Sequence, residues 1–181
     1  MTLAQLNALP AEEMRDEFLR CCGSRRWAES MLKRRPFRLT NDLYTSADEI
    51  WNNLSEADWK EAFSHHPKIG DVESLRTKFS STATWAKCEQ SGVAQATDDT
   101  LRELARLNEE YERRFGYIYI VCATGKRAEE MLGILRKRIN NNPKIEIEIA
   151  AKEQSKIFRI RLNKMLDTKL ENRIWDGTPS E

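Results

Sequence analysis

Apolar positions along most of the 181-residue chain recur three and four residues apart, the spacing of helices with one buried face. Met14, Phe18 and Leu19 form the first such set, with Pro10 suited to an early helical position and Gly23 to closing the helix behind Cys22. Ser24 can cap the next helix, which carries Trp27, Met31 and Leu32 on one side and stops at Pro36. Thr45 with Asp48, and Ser55 with Asp58, have the spacing of N-terminal capping boxes, Asp being a poorer third partner than Glu. Behind them lie Ile50, Trp51 and Leu54, then Trp59, Ala62 and Phe63. The last set delivers the chain to Ser64-His65-His66-Pro67-Lys68-Ile69-Gly70-Asp71.

Asp71 can cap a helix carrying Val72, Leu75 and Phe79. A polar break at Ser80-Ser81-Thr82 precedes a stretch from Trp85 to Gly92, which as a helix places Trp85 and Glu89 on one face. Thr97 opens a longer helix through Leu101, Leu104, Ala105, Asn108, Tyr111 and Phe115, and Gly116 can end it. The run Tyr117-Ile118-Tyr119-Ile120-Val121-Cys122-Ala123 alone reads as strongly strand-like, and it has no obvious partner strand. It is either an extended segment buried between helices or a short strand; if unpaired, its buried backbone groups must find other hydrogen-bond partners, and a ligand could be one. A helix follows through Ala128, Met131, Leu132, Leu135 and Ile139, and Asn140-Asn141-Asn142-Pro143 breaks it. The last element runs from about Lys144 to Leu166. Its opening, Ile145-Glu146-Ile147-Glu148-Ile149, alternates like a strand, but strong helix formers follow. A stripe of Ile149, Ile157, Ile160 and Met165 favours helix. The pattern predicts an all-α, single-domain bundle of about eight or more helices over residues 1–166, one extended segment, and an exposed tail at 167–181.

Composition narrows the class. Hydrophobic residues make up 40% and charged residues 33%, which suits a charge-rich surface around a modest core. The net charge of +1 favours neither a nucleic-acid nor a membrane partner, and no apolar run reaches the roughly 18 residues of a membrane span. Met1 to Glu13 lack the basic and apolar regions of a secretory signal, and Thr178-Pro179-Ser180-Glu181 is not a peroxisomal address. Cys21, Cys22, Cys88 and Cys122 form no C-x-x-C pair, so free, partly buried thiols in a reducing compartment are expected, and with them a cytoplasmic location.

The candidate chemistry centres on the only two histidines, His65 and His66. Imidazole titrates nearest neutrality, and Pro67 pushes His66 towards extended geometry, which makes His66 the better candidate of the two. A loop histidine beside a proline is more often structural than catalytic. Glu89 and Gln90 offer a carboxylate and an amide, although on residues alone a surface helix explains them better. A metal site from His65, His66 and Glu89 is disfavoured, because adjacent histidines chelate one ion poorly and further ligands are missing. Lys33-Arg34-Arg35 reads as a solvated helix end. Arg159 and Arg161 lie on the last helix, where solvation is the default and contact with an anion the alternative.

Taken in order, the motifs become specific. A Trp27 helix with Arg35-Pro36-Phe37 is followed by His66-Pro67-x-x-Gly70 and Trp85 with Glu89-Gln90-Ser91. Then come Asn108-x-x-Tyr111-x-x-x-Phe115-Gly116, the run to Ala123-x-Gly125-Lys126, Arg138, and Arg161-Leu162. This set closely resembles the 2-oxo-4-hydroxy-4-carboxy-5-ureidoimidazoline (OHCU) decarboxylase family of urate degradation, from about Leu3 to Leu166. The resemblance implies an all-helical fold, commonly a homodimer, that turns OHCU into (S)-allantoin and carbon dioxide with no cofactor. It implies that His66 is catalytic and that Pro67 lines the pocket. Glu89 and Gln90 would bind substrate, with Ala86 beside them, and Tyr119, Ile120, Val121, Cys122 and Ala123 would form the other wall through backbone groups. Arg161 is a further candidate.

Cofactor-free chemistry is plausible for such a substrate, because its own C=N can accept the electrons that decarboxylation leaves. The enzyme then has to orient the carboxylate and deliver a proton to one face of the ring. Two positions depart from the family pattern: Ala86 stands where a serine is usual, and Cys122 where some relatives carry arginine. The alternatives are a related ureide-processing enzyme, prompted by Ala86, and a helical interaction module with an inactive pocket.

Overall fold

Capping residues set where the helices begin, and the apolar stripes then decide which face is buried. The computed structural model describes residues 1–66 and 98–166; among these, eight α-helices form and no strand. The all-α expectation holds. Helix α1 (Leu3–Ala8) is opened by a Thr2–Gln5 capping box. Helix α2 (Ala11–Cys22) ends on Gly23 at φ +85°, as the sequence predicts. Pro10 stands just outside that helix as its N-cap instead of inside the first turn. Helix α3 (Arg25–Lys33) is capped by the Ser24 hydroxyl, which accepts the Trp27 N–H at 3.3 Å.

Helix α4 (Thr40–Asn52) begins earlier than the Thr45–Asp48 pattern predicts. The cause is Asp42, whose carboxylate accepts the Leu39 N–H at 2.9 Å and so starts the helix upstream. Thr45 and Asp48 fall inside it, and Asp48 is free to pair with Arg159 at 3.0 Å. Helix α5 (Glu56–Ser64) has the expected capping box: the Ser55 hydroxyl accepts the Asp58 N–H, and the Asp58 carboxylate accepts the Ser55 N–H. The helices expected after Asp71 and over Trp85–Gly92 lie outside the described residues.

Helix α6 (Asp98–Phe115) is ended by Gly116 at φ +76°, and α7 (Ala128–Arg138) follows the run that the sequence singles out. Helix α8 (Pro143–Met165) resolves the Ile145–Ile149 ambiguity in favour of helix. Pro143 is its first residue, where a missing N–H has no consequence. The buried stripe of α8 is Ile147, Ala151, Gln154, Phe158 and Leu162, one register away from the expected Ile149, Ile157, Ile160 and Met165, which are only half-buried.

The described residues group into two compact units. The first holds Met1–His65 and the later part of α8 from Lys152. In it α3 packs against α2, α4 and α5. Phe158 lies between Trp27 (5.3 Å between ring centroids) and Trp51 (5.6 Å), and Phe18 meets Trp27 edge-on at 5.9 Å. The buried indole of Trp27 donates to the Ala47 carbonyl at 3.0 Å, so its polar edge is satisfied inside the core. The second unit holds His66 and the described residues up to Ala151, with α6 packed against α7.

Replacing Phe158 removes the ring that joins two tryptophans. Phe158→Ala is therefore expected to cost about 3–5 kcal/mol, read as a lowered urea-unfolding midpoint. A loss below about 1 kcal/mol would show that this cluster is not the centre of its unit.

Candidate active site

The first candidate element is a corner. Helix α5 ends at Ser64; His65 caps it at φ −83°, ψ 0°, and its N–H donates to the Ala62 carbonyl at 3.3 Å. His66 comes next, half-buried and engaged with its surroundings. Gly23, at the end of α2, sits directly under this turn. A Cβ built on Gly23 would lie 2.8 Å from the Cβ of His65 and 3.3 Å from the carbonyl oxygen of Ala62. Glycine is thus required twice at one position, by its positive φ and by the approach of His65. His65, which the sequence leaves without a role beside His66, is the contact through which α2 seats the end of α5.

The second candidate element is the run Tyr119–Ala123, which belongs to neither helix nor strand. From Ile120 to Ala123 the side chains alternate between buried and half-buried, the period of an extended chain. Two cations hold its backbone. Arg138 donates to the Ile120 carbonyl at 2.8 Å, and the Lys126 ammonium donates to the Cys122 carbonyl at 2.8 Å. Arg138 is itself locked by Glu146: Nε and Nη2 reach the same carboxylate oxygen at 2.8 and 2.6 Å. That oxygen also accepts the Tyr111 hydroxyl, and the other accepts the Asn141 amide at 2.7 Å. Both partners are deeply buried. The Tyr119 ring lies under the Arg138 guanidinium at 4.8 Å and 5.2 Å from the Tyr111 ring.

Burial works against the Arg138 charge, but its hydrogen bonds to Glu146, together with the electrostatic attraction of Tyr111, Glu146 and Tyr119, outweigh it and leave the guanidinium more basic than usual. Burial, reinforced by the bond to Glu146, pushes the Tyr111 hydroxyl up, so it remains a donor at any working pH.

Of the sequence-predicted site residues, His66 and Tyr119–Ala123 fall in the same unit. Pro67, Ala86, Glu89 and Gln90 lie outside the described residues. Arg161 is in the first unit, where its guanidinium donates to the carbonyls of Arg20 (3.3 Å) and Cys21 (3.1 Å), the unpaired end of α2. Arg159 pairs with Asp48 and covers the Tyr44 ring at 5.3 Å. Among the described residues no group of three acidic, histidine or cysteine side chains could hold a metal.

Sequence reasoning missed Glu146 and Asn141 and gave Arg138 and Lys126 no task. The signal for Glu146 was present. On a helical reading it shares the buried face with Ala150, and a charge on an apolar face demands a buried partner.

A half-buried imidazole at a fixed corner can hold and move a proton, and an extended backbone edge can hydrogen-bond an amide-rich ligand. Comparison with known proteins gives this chemistry a context. Residues 7–163 match the sequence model of OHCU decarboxylase. The chain is 40% identical over 155 residues to the uric acid degradation bifunctional protein of Arabidopsis thaliana, covering 85% of this chain and 48% of that protein. It is 28% identical to the 2-oxo-4-hydroxy-4-carboxy-5-ureidoimidazoline decarboxylase of Amia calva, covering 92% of this chain and 95% of the other. A solved OHCU decarboxylase, determined in the presence of (S)-allantoin, superimposes with a TM-score of 0.68 at 36% identity, covering 84% of this chain and 98% of that one. An (S)-allantoin synthase superimposes at 0.69 with 20% identity, covering 92% of this chain and 55% of that one, a likeness of fold alone. The chain spans about half of the Arabidopsis protein (48%), and 32% of a bifunctional relative from Bacillus. The architecture is the all-helical one of these enzymes. The chain belongs to the OHCU decarboxylase family.

Two predictions follow from the corner and its neighbours. Gly23→Ala is expected to cost at least about 1–2 kcal/mol in urea unfolding, because alanine must occupy a left-handed conformation and displace His65; an unchanged midpoint would show that α2 does not seat the end of α5. Burial, the largest influence on each, pushes the Cys21 and Cys22 thiols from an ordinary 9.0 up to about 12. Their contribution to stability is therefore complete below pH 9 and is lost as pH rises from 9 towards 12. At pH 8 both should be alkylated about a hundredfold or more slowly in native than in urea-unfolded protein. Peptide mass spectrometry reads this, and equal rates would contradict the burial.

Proposed function

We propose that the protein decarboxylates OHCU to (S)-allantoin, with His66 as general acid/base and no cofactor. The observation that carries the reading is the family match over residues 7–163, which spans His66, Glu89, Gln90 and the run Tyr119–Ala123. The bond from the ring to the carboxylate breaks and carbon dioxide leaves. Its electron pair forms a new ring C=C as the neighbouring C=N takes up electrons, and one proton enters from solvent. The resulting enol loses its hydroxyl proton, and the ureido-bearing carbon gains one on a single face. His66 handles these proton movements, a task worth about 10²–10⁴-fold. Glu89 and Gln90 hydrogen-bond the ureido and ring groups, Pro67 fixes the imidazole, and the run reads the opposite edge of the substrate. Ala86 leaves out a hydroxyl contact that a serine would supply.

The functional unit is the helical domain 1–166, a reading supported by the extent of the family match, with 167–181 as a tail. A second copy of the chain is the expected protein partner, on the strength of the resemblance. The free, buried thiols of Cys21 and Cys22 support a reducing, cytoplasmic setting. Among the described residues no helix is long and apolar enough to cross a membrane.

OHCU generated freshly from urate decays without catalysis to racemic allantoin, so optical activity separates enzyme from background. Purified protein is expected to speed the decay and leave one enantiomer in excess. His66→Ala should abolish both effects with the fold retained. His65→Ala, which keeps the Cβ resting on Gly23, should leave most of the activity. Racemic product at the uncatalysed rate would overturn the reading, and equal losses in the two variants would overturn the assignment of roles.

A further inference from the structure

We infer that Arg138, locked by Glu146, and Lys126 are positioning residues that dictate which backbone edge of the run Tyr119–Ala123 faces the substrate. The inference rests on the proposed decarboxylase reading. In an extended chain the N–H and C=O of one residue share an edge, and those of its neighbours lie on the opposite edge. The two captured carbonyls, those of Ile120 and Cys122, are two residues apart and so lie on one edge. The same two residues bury their side chains, at 2% and 7% exposure, whereas Val121 between them is half-buried. The Ala123 carbonyl is taken by the Lys126 N–H at 3.1 Å, which closes the turn after the run. Among the described residues the N–H and C=O of Val121 take no backbone hydrogen bond. Val121 therefore presents one donor and one acceptor side by side, the complement of a cis-amide or ureido edge.

Two features set this arrangement apart from ordinary packing. Arg138 divides its donors between the Glu146 carboxylate and the Ile120 carbonyl, so its fork geometry transmits the position of α8 to the run. Lys126 reaches the Cys122 carbonyl independently of that pair, four residues along the chain. One buried and one half-buried cation hold a single edge of a segment that has no strand partner among the described residues.

The test uses Arg138→Lys and Lys126→Met in the full chain. Lysine keeps the charge beside Glu146 but lacks the planar fork needed to serve both acceptors. Lys126→Met leaves the buried pair intact, so it reports on the run even where the Arg138 variant folds poorly. In each, the KM for OHCU is expected to rise about tenfold or more, and kcat/KM to fall by up to about 10²-fold, since the substrate edge is misplaced. A smaller folded fraction would lower turnover per mole without moving KM. Without ligand, the amide resonances of residues 119–123 should shift in both variants, whether or not OHCU is turned over. Inactive wild-type protein with shifted resonances would retire the decarboxylase reading while the clamp stood. Active wild-type protein with unchanged KM in both variants, or resonances that do not move, would overturn the positioning role.

Discussion

The buried pair between Arg138 and Glu146 is the constraint to which the second unit is built. Taking two charges out of water costs several kcal/mol each, and their attraction offsets this only where every remaining donor and acceptor is satisfied. Here Glu146 receives Arg138 twice, the Tyr111 hydroxyl and the Asn141 amide. Three elements and a loop are therefore referenced to one carboxylate: α6 through Tyr111, α7 through Arg138, the loop before α8 through Asn141, and α8 itself. Such pairs seldom add net stability over a well-packed apolar core, yet breaking one costs roughly 3–5 kcal/mol. Its value lies in specificity, because an alternative packing of these elements strands a charge. Arg138 then passes the fixed geometry outward to the Ile120 carbonyl.

The corner at His65–His66 is held on a different principle. Gly23 lacks a side chain and His65 occupies the space, while Arg25, two residues on, pairs with Glu61 of α5 at 2.6 Å. The capping box at Ser55 and Asp58 fixes where α5 starts, the contact on Gly23 fixes where it stops, and His66 follows at once. Close steric contact, helped by the Arg25–Glu61 pair, fixes the corner before His66, whereas buried electrostatics and hydrogen bonding fix the backbone edge. In the proposed reaction the substrate carries its own electron sink, so placing a proton handler and a hydrogen-bonding edge is most of what the protein would have to add.

What the sequence made legible followed from physical signals that act locally. Ser24, Ser55 with Asp58, Gly23 and Gly116 announce their helix ends, because capping depends on residues three or four apart. Asp42 was missed because its partner is the backbone of Leu39, a residue with no capping side chain to advertise it. The stripe on α8 was misjudged by one register: isoleucine is a strong apolar cue, but the face is set by the tertiary neighbours of Phe158 and Gln154. His66 and the run Tyr119–Ala123 could be nominated from residue type and pattern. The Arg138 arm of its clamp could not, since Glu146 and Ile120 lie 8 and 18 residues from Arg138 and meet it only through folding. The role of Gly23 beneath His65 was hidden for the same reason.

The alternation along the run also bears on Cys122, the position where some relatives carry arginine. Its side chain is buried and its carbonyl accepts from Lys126. An arginine there would have to lose its water in the buried face or swing out of it. Cysteine avoids both, being a small and weakly polar residue of a kind commonly buried. The departure therefore concerns the buried face of the run, and the proposed Val121 backbone edge does not involve that side chain.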